Sequence, residues 1–220
     1  MTLVLSWNID GRRCVVVGGG TVGTRRARDL VGAGARVTVV APDVTDELVE
    51  LADLAGSGAL ELEQVPATRD VLERVFPGAA LVVVATDRTE VNELAAAVAR
   101  EHGVLVNRAD DAPAGDVTWT TPVRRGPVHV SVSTGGQAPS VARFVAQQLD
   151  EGLDGLLGLD EQQLTALVRV VGEVRRSLRN DGRRPAPVDW RSEQAATILE
   201  AVRAGRTALA KERLQAWQSS

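Results

Sequence analysis

The chain has 220 residues, 44% apolar and 25% charged, with a net charge of -4. That balance suits a globular protein and excludes a nucleic-acid binder that works through a broad basic face. Every basic residue but Lys211 is arginine. This leaves little room for a Schiff-base lysine and suits bidentate recognition of carboxylates or phosphates, although biased genome composition is the plainer source of the excess. Cys14 is the sole cysteine, so disulfides and cysteine-built metal centres within one chain are excluded. Its place before Val15-Val16-Val17 makes it a small buried strand residue. His102 and His129 are the only histidines and do not cluster, so no permanent metal is expected. The run Met1 to Trp7 lacks a basic start and is too short for a signal peptide, and no apolar stretch is long enough for a membrane span. The expectation is a cytoplasmic protein with neither membrane nor nucleic acid as partner.

The first hundred residues alternate strand and helix. Val15-Val16-Val17 is an apolar run ending in glycines, as in a strand buried on both faces. A helix follows from about Thr21, with Val22, Ala27, Leu30 and Val31 on one face and Gly32 and Gly34 ending it. Arg36 to Val40 is a second strand, and helix resumes after Asp43. Leu60 to Glu63 alternates as a short third strand, and Thr68 caps a short helix. Leu81 to Ala85 is the fourth strand, Thr89 caps the next helix, and Val104 to Val106 is the fifth strand. Strands separated by amphipathic helices predict a Rossmann-type doubly wound parallel sheet of the α/β class, over residues 1–113.

The pattern changes after Asp110. Val117 to Thr120 and Val128 to Val132 read as antiparallel strands joined at Arg124-Arg125-Gly126-Pro127. Gly135-Gly136 turns the chain, and Pro139 starts a helix with Val141, Phe144, Val145 and Leu149 inward. These residues, 114–150, form a small α+β segment. Residues 151–220 read as a helical domain: Asp160 and Gln163 make a capping box, Arg179 to Pro187 a polar linker, and Ser192 and Thr207 cap the last two helices.

Gly18-Gly19-Gly20-Thr21-Val22-Gly23 fits G-x-G-x-x-G, and its place between a strand and a helix makes the string specific. Gly18 permits the tight turn, Gly20 lets the backbone approach a pyrophosphate, and Gly23 packs helix on sheet. The free N–H groups of Thr21 and Val22 then meet the anion. NAD is the expected cofactor. The usual ribose-binding acid belongs at the end of the second strand, where Ala41 stands; Asp43, two residues later, either reaches the ribose with Pro42 against the adenine or caps the next helix. No Arg directly follows that strand, which favours NAD over NADP. Thr86-Asp87 and Asn107 to Asp111 also lie at strand carboxyl ends, where ligands bind in such sheets, though single acids there also make turns.

Taken in order, these motifs resemble the precorrin-2 dehydrogenase/sirohydrochlorin ferrochelatase family over roughly residues 5–150. They are Val15 to Gly20 with Val22 and Arg25-Arg26-Ala27; Gly32 to Ala35; Ala85-Thr86-Asp87 with Val91-Asn92; Val106-Asn107 and Asp110; Thr121-Pro122; and Val130 to Gly136 with Pro139 and Ala142-Arg143. The Ser133-Thr134-Gly135-Gly136 stretch followed by Pro139 and Ala142-Arg143 is the most specific. The resemblance implies NAD-dependent oxidation of precorrin-2 to sirohydrochlorin, with ferrous iron as a possible substrate for a later insertion step. It also implies a homodimer built on the segment after the Rossmann domain and a functional aspartate matching Asp110. The family commonly shows Asn-Val-Val-Asp followed by Asp-Pro or Ala-Pro. Here Asn107-Arg108-Ala109-Asp110-Asp111-Ala112-Pro113 stands in its place, which leaves both Asp110 and Asp111 as candidates. No methyltransferase module follows within the 220 residues, so the chain is not expected to make precorrin-2 itself.

An octacarboxylic substrate calls for arginines and backbone N–H donors. Asn107, Arg108, Ser133, Thr134, Gly135, Gly136 and His129 are the candidate substrate contacts, with Arg124, Arg125 and Arg143 nearby in sequence. Asp110, its pKa raised by burial, would take the proton that accompanies hydride removal. A non-catalytic NAD-sensing regulatory module is the alternative. It needs the glycine motif but not the Ser133 to Gly136 segment.

Overall fold

A computed structural model describes residues 3–218. Two compact units form. One holds residues up to Trp119 together with Thr134–Ala138; the other holds Thr120–Ser133 and Pro139 onward. The division at Trp119 falls six residues beyond the expected 113, and residues 120–133 group with the C-terminal helices.

The first unit is built on the apolar runs. Its elements are β1 (Arg13–Gly19), α1 (Thr21–Gly32), β2 (Arg36–Val44), α2 (Asp46–Ala55), β3 (Leu60–Glu63), α3 (Arg69–Val75), β4 (Leu81–Val84), α4 (Thr89–Glu101) and β5 (Leu105–Arg108). All strand pairs are parallel, in the order β3-β2-β1-β4-β5. The chain leaves β3 and returns on the other side of β1 as β4. The crevice at the carboxyl ends of β1 and β4 is therefore the topological switch point, where such sheets bind ligands.

The pleat sends alternate β1 side chains to opposite faces. Val15 and Val17 pack with Leu72, Phe76, Val82, Val84 and Val98 in one core, against α3 and α4. Cys14 and Val16 pack with Ala27, Leu30, Val39, Leu48 and Val83 in the other, against α1 and α2. Each fully buried Val or Leu contributes about 1.5–3 kcal/mol, and both faces are filled. Burial also pushes the Cys14 thiol up to about 11, as befits an inert strand residue.

Some assignments at element ends differ from the sequence reading. Thr45, not Asp43, caps α2: its Oγ1 accepts from Leu48 N at 3.2 Å, and its hydroxyl also meets Thr24 Oγ1 at 2.8 Å. Thr89 is the first residue of α4 rather than its cap, and Thr68 occupies the cap position of α3 without a side-chain bond. Residues 117–120 are not a strand. Val117 and Asp116 instead donate their backbone N–H groups to Val106 O, and Trp119 lies over the Arg26 guanidinium at 4.5 Å.

The second unit holds the antiparallel pair β6 (Thr121–Arg125) and β7 (Val128–Val132). Helices α5 (Pro139–Leu157), α6 (Glu161–Asn180), α7 (Glu193–Arg203) and α8 (Thr207–Trp217) follow. The capping box of Asp160 and Gln163 is present, and Ser192 Oγ accepts from Ala195 N. Thr207 is the first residue of α8, after Arg206 at the cap position. Leu164, Val170, Val174, Leu178, Ile198, Val202 and Leu214 form its core. The face of α5 is a correction. Ala142, Ala146 and Leu153 are buried, whereas Val141, Phe144 and Val145 are 50%, 63% and 37% exposed. Periodicity alone fixes a stripe, and here the small alanines are the side packed against β6 and β7 with Val123 and Val130.

Candidate functional site

A cleft of about 1050 Å³ in the first unit opens at the carboxyl ends of β1, β2 and β4. The glycine loop forms its floor. Gly18 has φ +115°, and a Cβ there would stand 2.4 Å from Ala85 O. A Cβ on Gly23 would stand 2.0 Å from Gly18 O, so α1 is drawn onto the turn. Gly20 is different: a Cβ there meets nothing within 4 Å. The space in front of Gly20 is the cleft itself, as an anion approaching the backbone requires. The first intrahelical bond nearby is Thr24 N to Gly20 O, which leaves the Thr21, Val22 and Gly23 N–H groups of α1 for a ligand. The loop therefore fits a pyrophosphate.

Gly19 is a requirement that the motif string does not show. A Cβ on it would lie 2.3 Å from Asp43 O, because the end of β2 runs against the loop at Gly19 and Val44. Asp43 and Pro42 are both exposed and line the cleft, with Ala41 buried behind them. Since Thr45 takes the cap, the Asp43 carboxylate is not used by α2. Thr68 and Arg69 line the cleft too; Arg69 is paired with Glu73 and Glu101, and its bond to Glu101 holds that carboxyl below its usual range.

Thr86 and Asp87, just beyond β4, line the cleft as the spacing predicts, and so do Ala109 and Asp110. Sequence reasoning gave no role of its own to Asn92. This residue is 1% exposed on α4. Its Nδ2 donates to Thr86 O and to Asp110 Oδ2, each at 3.0 Å, and its Oδ1 accepts from Thr86 Oγ1 at 2.6 Å. A fully buried Asn facing a strand end is a signal only when its partners are known.

Asp110 overturns one expectation. Its carboxyl is not raised by burial but held far below the usual carboxylate range, first by hydrogen bonds from Arg108 and then by Asn92. Arg108 Nε and Nη2 reach Oδ1 and Oδ2 at 2.8 and 2.7 Å. The side chain of Arg108 is 7% exposed and that of Asp110 is 32% exposed. The fork of Arg108 is thus spent on its neighbour rather than presented to a substrate. Asn107 is also turned inward: it is 2% exposed, and Nδ2 donates to Val117 O at 2.7 Å.

The segment before α5 divides. Thr134, Gly135 and Gly136 belong to the first unit, where a Cβ on Gly136 would stand 2.6 Å from the Ala112 side chain, two residues beyond Asp110. Thr134 Oγ1 accepts from Ala138 N at 3.1 Å. Ser133 and His129 belong to the second unit; His129 is exposed on β7, in register with Arg124 on β6. Arg125 is engaged there by Asp150 and Asp154. Among the described residues no group of three or more His, Cys, Asp or Glu forms a metal site, and no helix is long and apolar enough to cross a membrane.

Residues 5–121 match the family model described as "Putative NAD(P)-binding". The chain belongs to that family. A siroheme synthase of Pseudomonas paraeruginosa is 36% identical over 214 residues, 97% of this chain and 43% of that protein. A siroheme synthase of Chromobacterium violaceum is 42% identical over 139 residues, 63% of this chain and 28% of the relative. The chain thus spans less than half the length of these curated relatives. Among solved structures, SirC, a precorrin-2 dehydrogenase, superposes with a TM-score of 0.65 over 97% of this chain and 99% of that one, at 23% identity. The Rossmann-type sheet followed by C-terminal helices is therefore a fold that this NAD(P)-binding family member shares with SirC.

Proposed function

We propose that the chain oxidises precorrin-2 to sirohydrochlorin with NAD. The single observation that carries this reading is the cleft that joins an open glycine cradle at Gly20 to the carboxylate of Asp110. The similarity to siroheme synthases and the fold shared with SirC supply the substrate class. NAD supplies the hydride acceptor. Gly18, Gly20, Thr21, Val22 and Gly23 would hold its pyrophosphate, Pro42 and Asp43 its adenosine end, and Thr86 and Asp87 the end nearer Asp110.

Asp110 acts as an anion beside the substrate. Loss of hydride leaves positive charge on the tetrapyrrole, which a fixed carboxylate stabilises. A proton next to that charge is strongly acidic, so even the weakly basic Asp110 can take it and pass it to solvent. The turn at Thr134 and Gly136, packed near Ala112, would meet a substrate carboxylate in the same unit as Asp110. The exposed Val141, Phe144 and Val145 support assembly through residues 114–150 into a homodimer, which light scattering at micromolar concentration tests: a monomer refutes it.

The deciding experiment is an absorbance assay of the purified chain with precorrin-2 and NAD. The sirohydrochlorin spectrum should appear, and Asp110→Asn should slow it by about a hundredfold with NAD affinity little changed. Asp111→Asn should be mild; the reverse pattern would assign the role to Asp111. Addition of ferrous iron to the product mixture tests the insertion step. Tight NAD binding without any turnover would favour the NAD-sensing module instead.

A further inference from the structure

Arg108 is the last residue of β5, and Asp110 stands just beyond it at the cleft. A guanidinium fork with one nitrogen on each carboxylate oxygen fixes both the position of the carboxylate and the rotation of its plane. The inward side of Oδ2 is also held, by Asn92. Asn92 cannot turn away, because Thr86 occupies both ends of its amide. A continuous chain of hydrogen bonds therefore runs from Thr86 on the cleft wall through Asn92 and Asp110 to Arg108. An arginine that received substrate carboxylates would need its fork open to the cleft, yet this one is buried.

We propose that Arg108 and Asn92 are positioning residues of the dehydrogenation, clamping the Asp110 carboxylate in one orientation at the cleft rather than binding substrate themselves. This rests on the precorrin-2 reading. Charges around the clamp agree with it: Asp111 and Glu93 both favour the cationic form of Arg108, and Asp87 and Arg88 line the same cleft. A carboxylate gripped by a buried cation stays ionised across the working range and keeps its face toward the substrate.

The test reads titration and kinetics separately. Carbon-13 NMR of the Asp110 carboxyl in the full chain should show no titration between about pH 4 and 8. Arg108→Gln should bring its midpoint up to about 4 or above, since burial then acts unopposed. Arg108→Lys restores charge without the fork, so it should recover the low midpoint but not the full kcat. With precorrin-2 and NAD, Arg108→Gln and Asn92→Ala should each lower kcat by about tenfold or more and leave KM for precorrin-2 within about twofold. A wild-type Asp110 that titrates at the ordinary value overturns the clamp. So does an Arg108→Gln chain with raised KM and unchanged kcat, which would make Arg108 a substrate-carboxylate site. Should the wild type fail to oxidise precorrin-2 at all, the functional reading falls, while the titrations of the wild type and Arg108→Gln still decide the clamp.

Discussion

The two units bury their apolar residues by different rules. In the sheet unit, β1 and β4 are buried on both faces, and Val15, Val16, Val17, Val82, Val83 and Val84 are all 0% exposed. Every apolar side chain of those strands is committed to packing, so chemistry is confined to where the strands stop. In the helical unit each helix is buried along one stripe only. There Ile198 is 1% exposed while Phe144 is 63% exposed. Continuous apolar runs tie a sequence to one arrangement, whereas a stripe leaves a helix free to rotate until tertiary packing chooses.

The contrast is broken most severely at the glycine loop. Gly20→Val adds a branched side chain to the open cradle and should abolish measurable NAD binding by calorimetry, with the unfolding midpoint nearly unchanged. Gly19→Ala is the opposite case, since its Cβ would fall 2.3 Å from Asp43 O; it should lower stability by about 1–3 kcal/mol. If both variants behaved alike, loop shape and ligand space would not be separable.

Ile198→Ala and Phe144→Ser sharpen the second half of the comparison. The first should lose about 2–5 kcal/mol in urea unfolding; the second should leave the fold of the single chain within about 0.5 kcal/mol, as for a surface position, and act instead on assembly, raising the monomer fraction in light scattering. Unchanged assembly in Phe144→Ser would mean that this face of α5 is not the dimer contact. Ser192→Ala, which removes the bond to Ala195 N at the start of α7, should cost about 1 kcal/mol.

The smallest effect expected is a pH dependence. The Asp110 carboxyl is lowered in the folded chain by Arg108 and Asn92. Its stabilisation is therefore present above the unfolded value of about 3.9 and lost as pH falls toward the folded one. Acid unfolding of the wild type should show this loss below about pH 4, and Arg108→Gln should show less of it. Because the Asp110 side chain is 32% exposed, solvent screens the pair and the difference should be small. Equal acid sensitivity of both proteins would show that the pair adds nothing to folding.

Local sequence was enough for the order of strands and helices in the parallel sheet, the glycine loop and the strand-end positions of Thr86, Asp87 and Asp110, but not for β6, which lies at Thr121–Arg125 rather than at 117–120. These follow from local causes: apolar runs that must be buried, glycines where a Cβ would collide, and a chain that alternates period and turn. The helix caps at Asp160 and Ser192 were equally local, each needing only a bond three residues ahead. Tertiary structure alone decided the rest. Whether Asp43 or Thr45 capped α2 depended on where the end of β2 met Gly19. Which face of α5 was buried depended on the shape of β6 and β7. The state of Asp110 depended on Asn92, eighteen residues away on α4, and on a guanidinium that folds back from β5. Burial would raise a carboxyl and an arginine fork lowers it, and only the distances between these side chains say which effect wins.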